Sequence, residues 1–301
     1  MKKLILSSIL IFLFNIAFSQ SQNTDTTKVF CVTQNDDTKI IGKIIENNPR
    51  EITIIANDGR QIIIPQYIVK SITPINTSDL NESGEYIGKD NFCTRYFLTT
   101  NGLPLEKGKN CIQWNLFGPD FQFSVNEKVG MGVMTSWIGM PIIGTIKYSD
   151  RITDKIHYAV GGLIGTGSWA APDFGGALPF VALTIGDGRS NINISGGYGA
   201  VWSGGSTSGR GILSVAGMTK VGRKVSLVFD SFIMLPGSDK TQTDFWGNTY
   251  TKSRPGFAIL VPGVRIHQSE STAFQFGFAG IIADGDIIPM PIPMVQWYRS
   301  F

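Results

Sequence analysis

Charge, cysteine and histidine are all scarce in this chain. Of its 301 residues 16% are charged, leaving a net charge of +3, too small and too scattered to imply a nucleic-acid partner. The cysteines are three, Cys31, Cys93 and Cys111, and the histidines two, His157 and His267; their spacing fits no zinc cluster. No cofactor motif is present: a Gly-x-Gly-x-x-Gly run, a P-loop and a Gly-x-Ser-x-Gly elbow are all missing. Beyond residue 19 no stretch of 18 apolar residues occurs, which excludes a membrane-spanning helix. Low charge does not mean disorder here, because 42% of the residues are hydrophobic and 11% aromatic. The 35 glycines show no three-residue period, so a collagen-like chain is excluded.

What is present begins with an address. Lys2 and Lys3 precede the apolar run 4–17, and Ala17, Phe18 and Ser19 place small residues where a signal peptidase reads. Residues 1–19 therefore read as a secretory signal peptide. No cysteine follows the cleavage point, so a lipid-anchored lipoprotein is not expected. An exported chain this apolar is either a soluble β-sandwich or a closed barrel in an outer membrane.

After a polar leader, residues 28–76 hold five short β-branched segments at 28–33, 38–46, 51–56, 60–65 and 67–73, with Asn35-Asp36-Asp37 and Asn57-Asp58-Gly59 as turn signals. They predict a small five-stranded β-barrel domain of the SH3-like or Sm-like kind. Residues 77–91 read as a linker.

From residue 92 to 301 the chain repeats segments of about 10 to 13 residues in which apolar and small or polar residues alternate. Twelve segments start near residues 92, 111, 128, 142, 155, 176, 190, 209, 224, 256, 272 and 289. In one of them Ile192, Ile194, Tyr198 and Trp202 oppose Asn191, Asn193, Gly197 and Gly199; in another Phe274, Phe276 and Phe278 oppose Gln275, Gly277 and Ala279. Alternation alone fits a sandwich or a barrel. The connections favour the barrel: those at 125–128, 150–154, 186–190, 221–224 and 268–271 are short, and those at 101–110, 167–175, 203–208, 236–255 and 284–288 are longer. The last segment carries Val295, Trp297 and Phe301 on one face, a pattern expected of chains handed to the outer-membrane insertion machinery. The predicted fold is all-β: a transmembrane antiparallel β-barrel of about 12 strands over residues 92–301, preceded by a small periplasmic domain.

Val32-Thr33, Ile41-Gly42-Lys43-Ile44, Ile64-Pro65, Arg95-Tyr96-Phe97 and Leu105-Glu106-Lys107-Gly108, in this order between a signal peptide and an aromatic C-terminus, resemble a Bacteroidota outer-membrane β-barrel family. That resemblance implies no chemistry, so no catalytic residue is carried over.

If the segments near 92 and 111 are neighbouring strands, Cys93 and Cys111 lie about 20 Å apart at about 3.3 Å per residue, beyond the disulfide limit of about 7 Å. Parity places Lys147, His157, Asp230, Arg265 and Gln275 inside the barrel. They form either a solute-selecting constriction or acid/base pair, or an internal network that fills a narrow lumen, since unpaired buried charge is too costly to persist. Phe245, Trp246 and Tyr250 form an aromatic patch on the long loop 236–255, suited to binding or to folding over the mouth. The expected protein is a structural or partner component of the cell envelope and not an enzyme. It contacts membrane lipid and the insertion machinery, and through residues 28–76 another envelope protein. A narrow small-solute channel and a lipid-modifying enzyme are the alternatives.

Overall fold

The structure is a computed structural model that describes residues 28–36, 38–56, 58–75, 87–168, 171–243, 246–247, 249–283 and 286–301. The expected signal peptide, residues 1–19, lies outside the described residues, as do residues 77–86 of the expected linker. The chain divides into two units, Met1–Tyr86 and Ile87–Phe301.

In the first unit β1 (Val29–Gln34), β2 (Lys39–Asn47), β3 (Glu51–Ala56), β4 (Gln61–Pro65) and β5 (Val69–Ile75) form one sheet in the order β4-β3-β2-β1-β5. All its pairings are antiparallel. Each strand falls on a predicted segment, because β-branched runs between Asp and Asn turns leave little alternative. Val32, Ile44, Ile52, Ile54 and Ile64 make its core.

The second unit is a closed antiparallel barrel of twelve strands. In chain order they are β6 (Cys111–Asn115), β7 (Gly118–Ser124), β8 (Val129–Thr135), β9 (Ile142–Thr153), β10 (Ile156–Ser168), β11 (Ala171–Gly186), β12 (Ser190–Ser203), β13 (Ser206–Lys220) and β14 (Val225–Met234). A side hairpin of β15 (Gly237–Thr243) and β16 (Thr249–Arg254) follows. The barrel then resumes with β17 (Phe257–His267), β18 (Thr272–Ala283) and β19 (Asp286–Ser300). Pairing of β19 with β6 closes the ring, so no strand edge is left with unpaired backbone groups, the condition for crossing lipid with strands.

The alternation resolves as a lipid-type outer face. Ile192, Ile194, Tyr198, Phe276 and Phe278 are exposed on the outside, whereas Asn191, Asn193 and Gln275 are buried inside. In a sandwich that polarity would be reversed. Val295, Trp297 and Phe301 also point outward, the last two exposed.

The strand count holds with a different membership. The segment at 92 is no strand; residues 87–110 fold inside the barrel. In its place the segment at 111 is a hairpin, β6 and β7, turning at Leu116-Phe117. An apolar turn carries no punctuation in sequence, and the signal was Asn115, whose side chain accepts hydrogen bonds from the Phe117 and Gly118 N–H groups at 2.8 and 3.0 Å. Among the described residues several of the expected longer loops are largely strand: β10 and β11 take in 167–168 and 171–175, and β12 and β13 take in 203 and 206–208. Gly204 and Gly205 adopt φ of +54° and +80° and close a two-residue turn, so Ser203 and Ser206 pair directly. Among the described residues the longest connection between barrel strands is that from β14 to β17, which carries the β15–β16 hairpin.

A charge on the outer face should be costly. Val181, exposed between Val160 and Gly196 of the neighbouring strands, replaced by Lys should lower barrel stability by about 2–4 kcal/mol, measured by denaturant unfolding in lipid vesicles.

Candidate functional site

A twelve-stranded ring is wider than those that side chains alone can fill, and here the chain fills it with residues 87–110. The segment is shaped locally. The Asp90 side chain accepts the Phe92 N–H at 2.7 Å, Arg95 bridges to Thr100, and the Tyr96 N–H donates to the Thr99 carbonyl at 3.0 Å. Asn101 then ties the turn back by donating to the Cys93 carbonyl at 2.6 Å. The segment enters the lumen beside the 187–189 turn, where the Asp90 N–H donates to the Gly188 carbonyl at 2.9 Å, and leaves where Asn110 and Phe301 exchange backbone hydrogen bonds. Both points are at the short-turn end of the barrel, so the plug is a looped segment.

Three predicted lumen residues hold it. Arg265 is completely buried, and its guanidinium donates to Gln275 at 2.7 Å, to Asp90 at 3.1 Å, and to the carbonyls of Phe92 and Arg95 at 2.8 and 2.6 Å. Its carbon also lies 4.9 Å from the centre of the Tyr298 ring. Gln275 donates to Gln296 at 2.9 Å, and Gln296 to the Phe97 carbonyl at 2.7 Å. Strand register explains the chain of contacts: Arg265, Gln275 and Gln296 are direct cross-strand partners on β17, β18 and β19. Asp90 accepts further from Ser226 at 2.8 Å and lies 3.1 Å from His267. Burial pushes the Asp90 carboxyl up, but the Arg265 guanidinium and the His267 ring beside it override that and hold it well below the ordinary carboxylate range.

The second clamp is Asp230, also fully buried. Its carboxylate accepts the Leu98 N–H at 2.6 Å, the Thr99 N–H at 2.9 Å and the Thr99 hydroxyl at 2.7 Å. Lys147 donates to the Thr100 hydroxyl at 3.2 Å and the Asn101 carbonyl at 3.1 Å. Thr184 and Asn193, missed in sequence as plug contacts, take the Gly102 N–H at 2.8 Å and donate to the Thr100 carbonyl at 3.3 Å respectively. Their inward parity was the available signal. Apolar contact completes the fit: the tip of the Phe97 ring abuts Gly263 and Gly277, where an added Cβ would come within 2.4 and 2.7 Å of it, and Tyr96 and Phe97 pack with Ala216, Met218, Val228 and Val261.

His157 is inside the lumen as parity predicts but joins no network; neither ring nitrogen has a hydrogen-bond partner. Within the loop patch Phe245 lies outside the described residues, while Trp246 and Tyr250 are exposed at the β15–β16 hairpin. None of the three cysteines is in a disulfide. The distance argument for Cys93 and Cys111 fails, because Cys93 belongs to the plug and the two line one cavity.

That cavity, about 310 Å³, runs alongside the plug and opens into the lumen above it. Its floor is Leu98, Thr99 and Thr100 with Lys147 at the side, and its upper wall is Leu163, Leu178, Phe180, Ile212 and Phe232.

No family model matches the chain, and neither does any curated protein sequence. Among solved structures it is similar to a NanC porin, with 9% identity and a TM-score of 0.40 over 64% of this chain and 98% of that one. It is also similar to a loop L8 deletion mutant of OmpT, an outer membrane protein of Vibrio cholerae, with 10% identity and a TM-score of 0.37 over 91% of this chain and 96% of that one. The fold assignment stands on the chain's own geometry, a closed twelve-stranded antiparallel barrel with an apolar outer face, the outer-membrane β-barrel type. The expectation that the chain is not an enzyme is corrected here: beside the OmpT likeness, at this level of similarity, enzymatic status is unresolved.

Removing a clamp should loosen the plug. Arg265→Ala leaves Asp90 buried without its cation, a change of about 3–5 kcal/mol, and Cys93 should then react with maleimide at least tenfold faster than in the wild type, read by mass spectrometry of the labelled peptide.

Proposed function

We propose that the protein is an outer-membrane barrel that its own residues 87–110 keep shut, acting as a structural or partner component of the cell envelope. The observation that carries this reading is the pair of buried clamps, Asp90 with Arg265 and Asp230 with the Leu98-Thr99 backbone. Every charge in these clamps is matched by a plug group, so opening the lumen would strand a buried Arg265 and a buried Asp230 together. That makes an open small-solute channel the weaker reading of the same geometry.

The rest of the assignment belongs to the same proposal. The Lys2-Lys3 and apolar leader supports export, the short-turn end of the barrel faces the periplasm, and residues 28–76 are a periplasmic domain. Kinship with the Bacteroidota family rests on the Arg95-Tyr96-Phe97 and Leu105-Glu106-Lys107-Gly108 motifs, the first of which is the part of the plug that Arg265 and Gln296 grip. A partner would meet the first unit along β4 or β5, the strands at the ends of its sheet order, by adding a strand; Ile63 on β4 is exposed there.

Planar-bilayer recording tests the closed state. The wild-type protein should show no steady single-channel steps, and Asp230→Ala should show openings as the Leu98-Thr99 anchor is lost. Steady steps from the wild type would overturn the reading.

A further inference from the structure

The interior of this barrel changes character at the plug. Below, toward the short turns, the inward positions that grip the plug are polar, Asn191, Asn193, Ser226, Asp230, Arg265 and Gln275, interleaved with apolar ones such as Met218 and Val228 that pack on its rings. Above, apolar residues gather on one side of the lumen, with Ser195 and Ser214 beside them. Leu163 on β10, Leu178 and Phe180 on β11, Ile212 on β13 and Phe232 on β14 line open space. They are held against the wall by small neighbours, the Phe180 ring lying across Gly161 and the Ile212 side chain across Gly199, where an added Cβ would come within 2.7 Å of each. A water-filled pore has no use for such a lining; each large apolar side chain facing water forgoes about 1.5–3 kcal/mol of burial.

At the base of this apolar chamber stands Lys147, which has no carboxylate partner among the described residues. Lys147 donates only to a hydroxyl and a carbonyl of the plug. The other charged side chains along the cavity are matched, Arg95 to Asp120 and Lys109 to Glu106. An apolar chamber ending in one unmatched ammonium has the chemistry of a receptor for an anionic head with a single apolar tail.

The wall beside the cavity also says where such a molecule comes from. β6, β7 and β8 have 5, 7 and 7 residues against 16 in β11. At about 3.3 Å per residue and a tilt of about 40°, seven residues rise about 18 Å, short of the apolar band of about 25 Å. The connections that top this low wall expose Leu116, Phe117, Trp137, Ile138 and Met140. An apolar lip at that height meets acyl chains.

We propose that the cavity between residues 87–110 and the barrel wall is a binding site for a single-chain anionic amphiphile taken from the bilayer, its tail among Leu163, Leu178, Phe180, Ile212 and Phe232 and its head at Lys147. The volume of about 310 Å³ sits at the low end of ligand pockets, about 300–1,000 Å³, which suits one chain. The site goes beyond a closed envelope component and does not depend on that role, since binding is read on the purified barrel whether or not the barrel conducts.

The test uses the full chain in nanodiscs of zwitterionic lipid, with a dansyl-labelled undecanoic acid as probe. The wild type should bind it saturably, and palmitate and a lysophosphatidic acid should both displace it at least tenfold more strongly than hexadecanol; which of the two anions wins separates a carboxylate head from a phosphate head. Lys147→Gln should abolish the preference for anions while hexadecanol competes as before, and Lys147→Arg should restore it. Because Lys147 also touches the plug, Leu178→Gln, at the tail end and away from residues 87–110, provides an independent arm and should weaken the probe at least tenfold. Phe117→Asp should slow uptake from the disc without changing the equilibrium. Non-saturable signal with the wild type, an unchanged anion preference in Lys147→Gln, or unaltered affinity in Leu178→Gln would each overturn the proposal.

Discussion

The fully buried pairing of Asp90 with Arg265 is the contact on which the rest of the barrel unit depends. A guanidinium at this depth, surrounded by β17, β18 and β19, can be held in place only if each of its N–H groups finds an acceptor. The barrel wall supplies one, Gln275, and the plug supplies the others: the Asp90 carboxylate and two backbone carbonyls. Wall and plug are therefore complementary in charge and hydrogen bonding, and neither is a satisfied structure alone. The same reasoning runs through Asp230, which takes three hydrogen bonds from two consecutive plug residues and offers nothing comparable to a solute.

The strands of the barrel were legible in sequence because their period of two is imposed twice, by lipid on one side and by the lumen on the other. Ile192 and Ile194 against Asn191 and Asn193, or Phe276 against Gln275, admit one orientation once the ring is known to close. The plug was not legible, because its apolar residues serve a packing role with the same spacing as a strand. Phe92, Tyr96 and Phe97 look like a lipid-facing stripe, and only the structure shows them turned against Ala273, Met218 and the glycines at 263 and 277. The hint lay elsewhere in the chain: five inward polar residues on strands of a ring too wide for them to reach one another require something between them. The hairpin turn at Leu116-Phe117 was hidden for a related reason, since at the low rim of the wall an apolar turn is in its preferred medium.

The candidate site was half visible. Lys147, Asp230, Arg265 and Gln275 do share one interior, as parity placed them, and each is tied to residues 87–110 or to a group that is. His157 shares the interior but not the bonds. The apolar upper chamber was invisible in a reading that treated the small residues as the whole of the lining. Gly161 and Gly199 are small because the adjacent strands send Phe180 and Ile212 across them, so the glycines mark places where a neighbour's bulk is received.

The plug precedes every barrel strand in the chain, and its exit is stitched to the residue that follows β19. Asn110, the last plug residue, exchanges backbone hydrogen bonds with Phe301, and the five residues that follow it form β6, which pairs with β19 to close the ring. The closing seam is thus anchored at the point where the plug leaves the lumen. Assembly of the wall and placement of its filler are thereby one event at this seam: the register that pairs β19 with β6 also sets where the segment emerges.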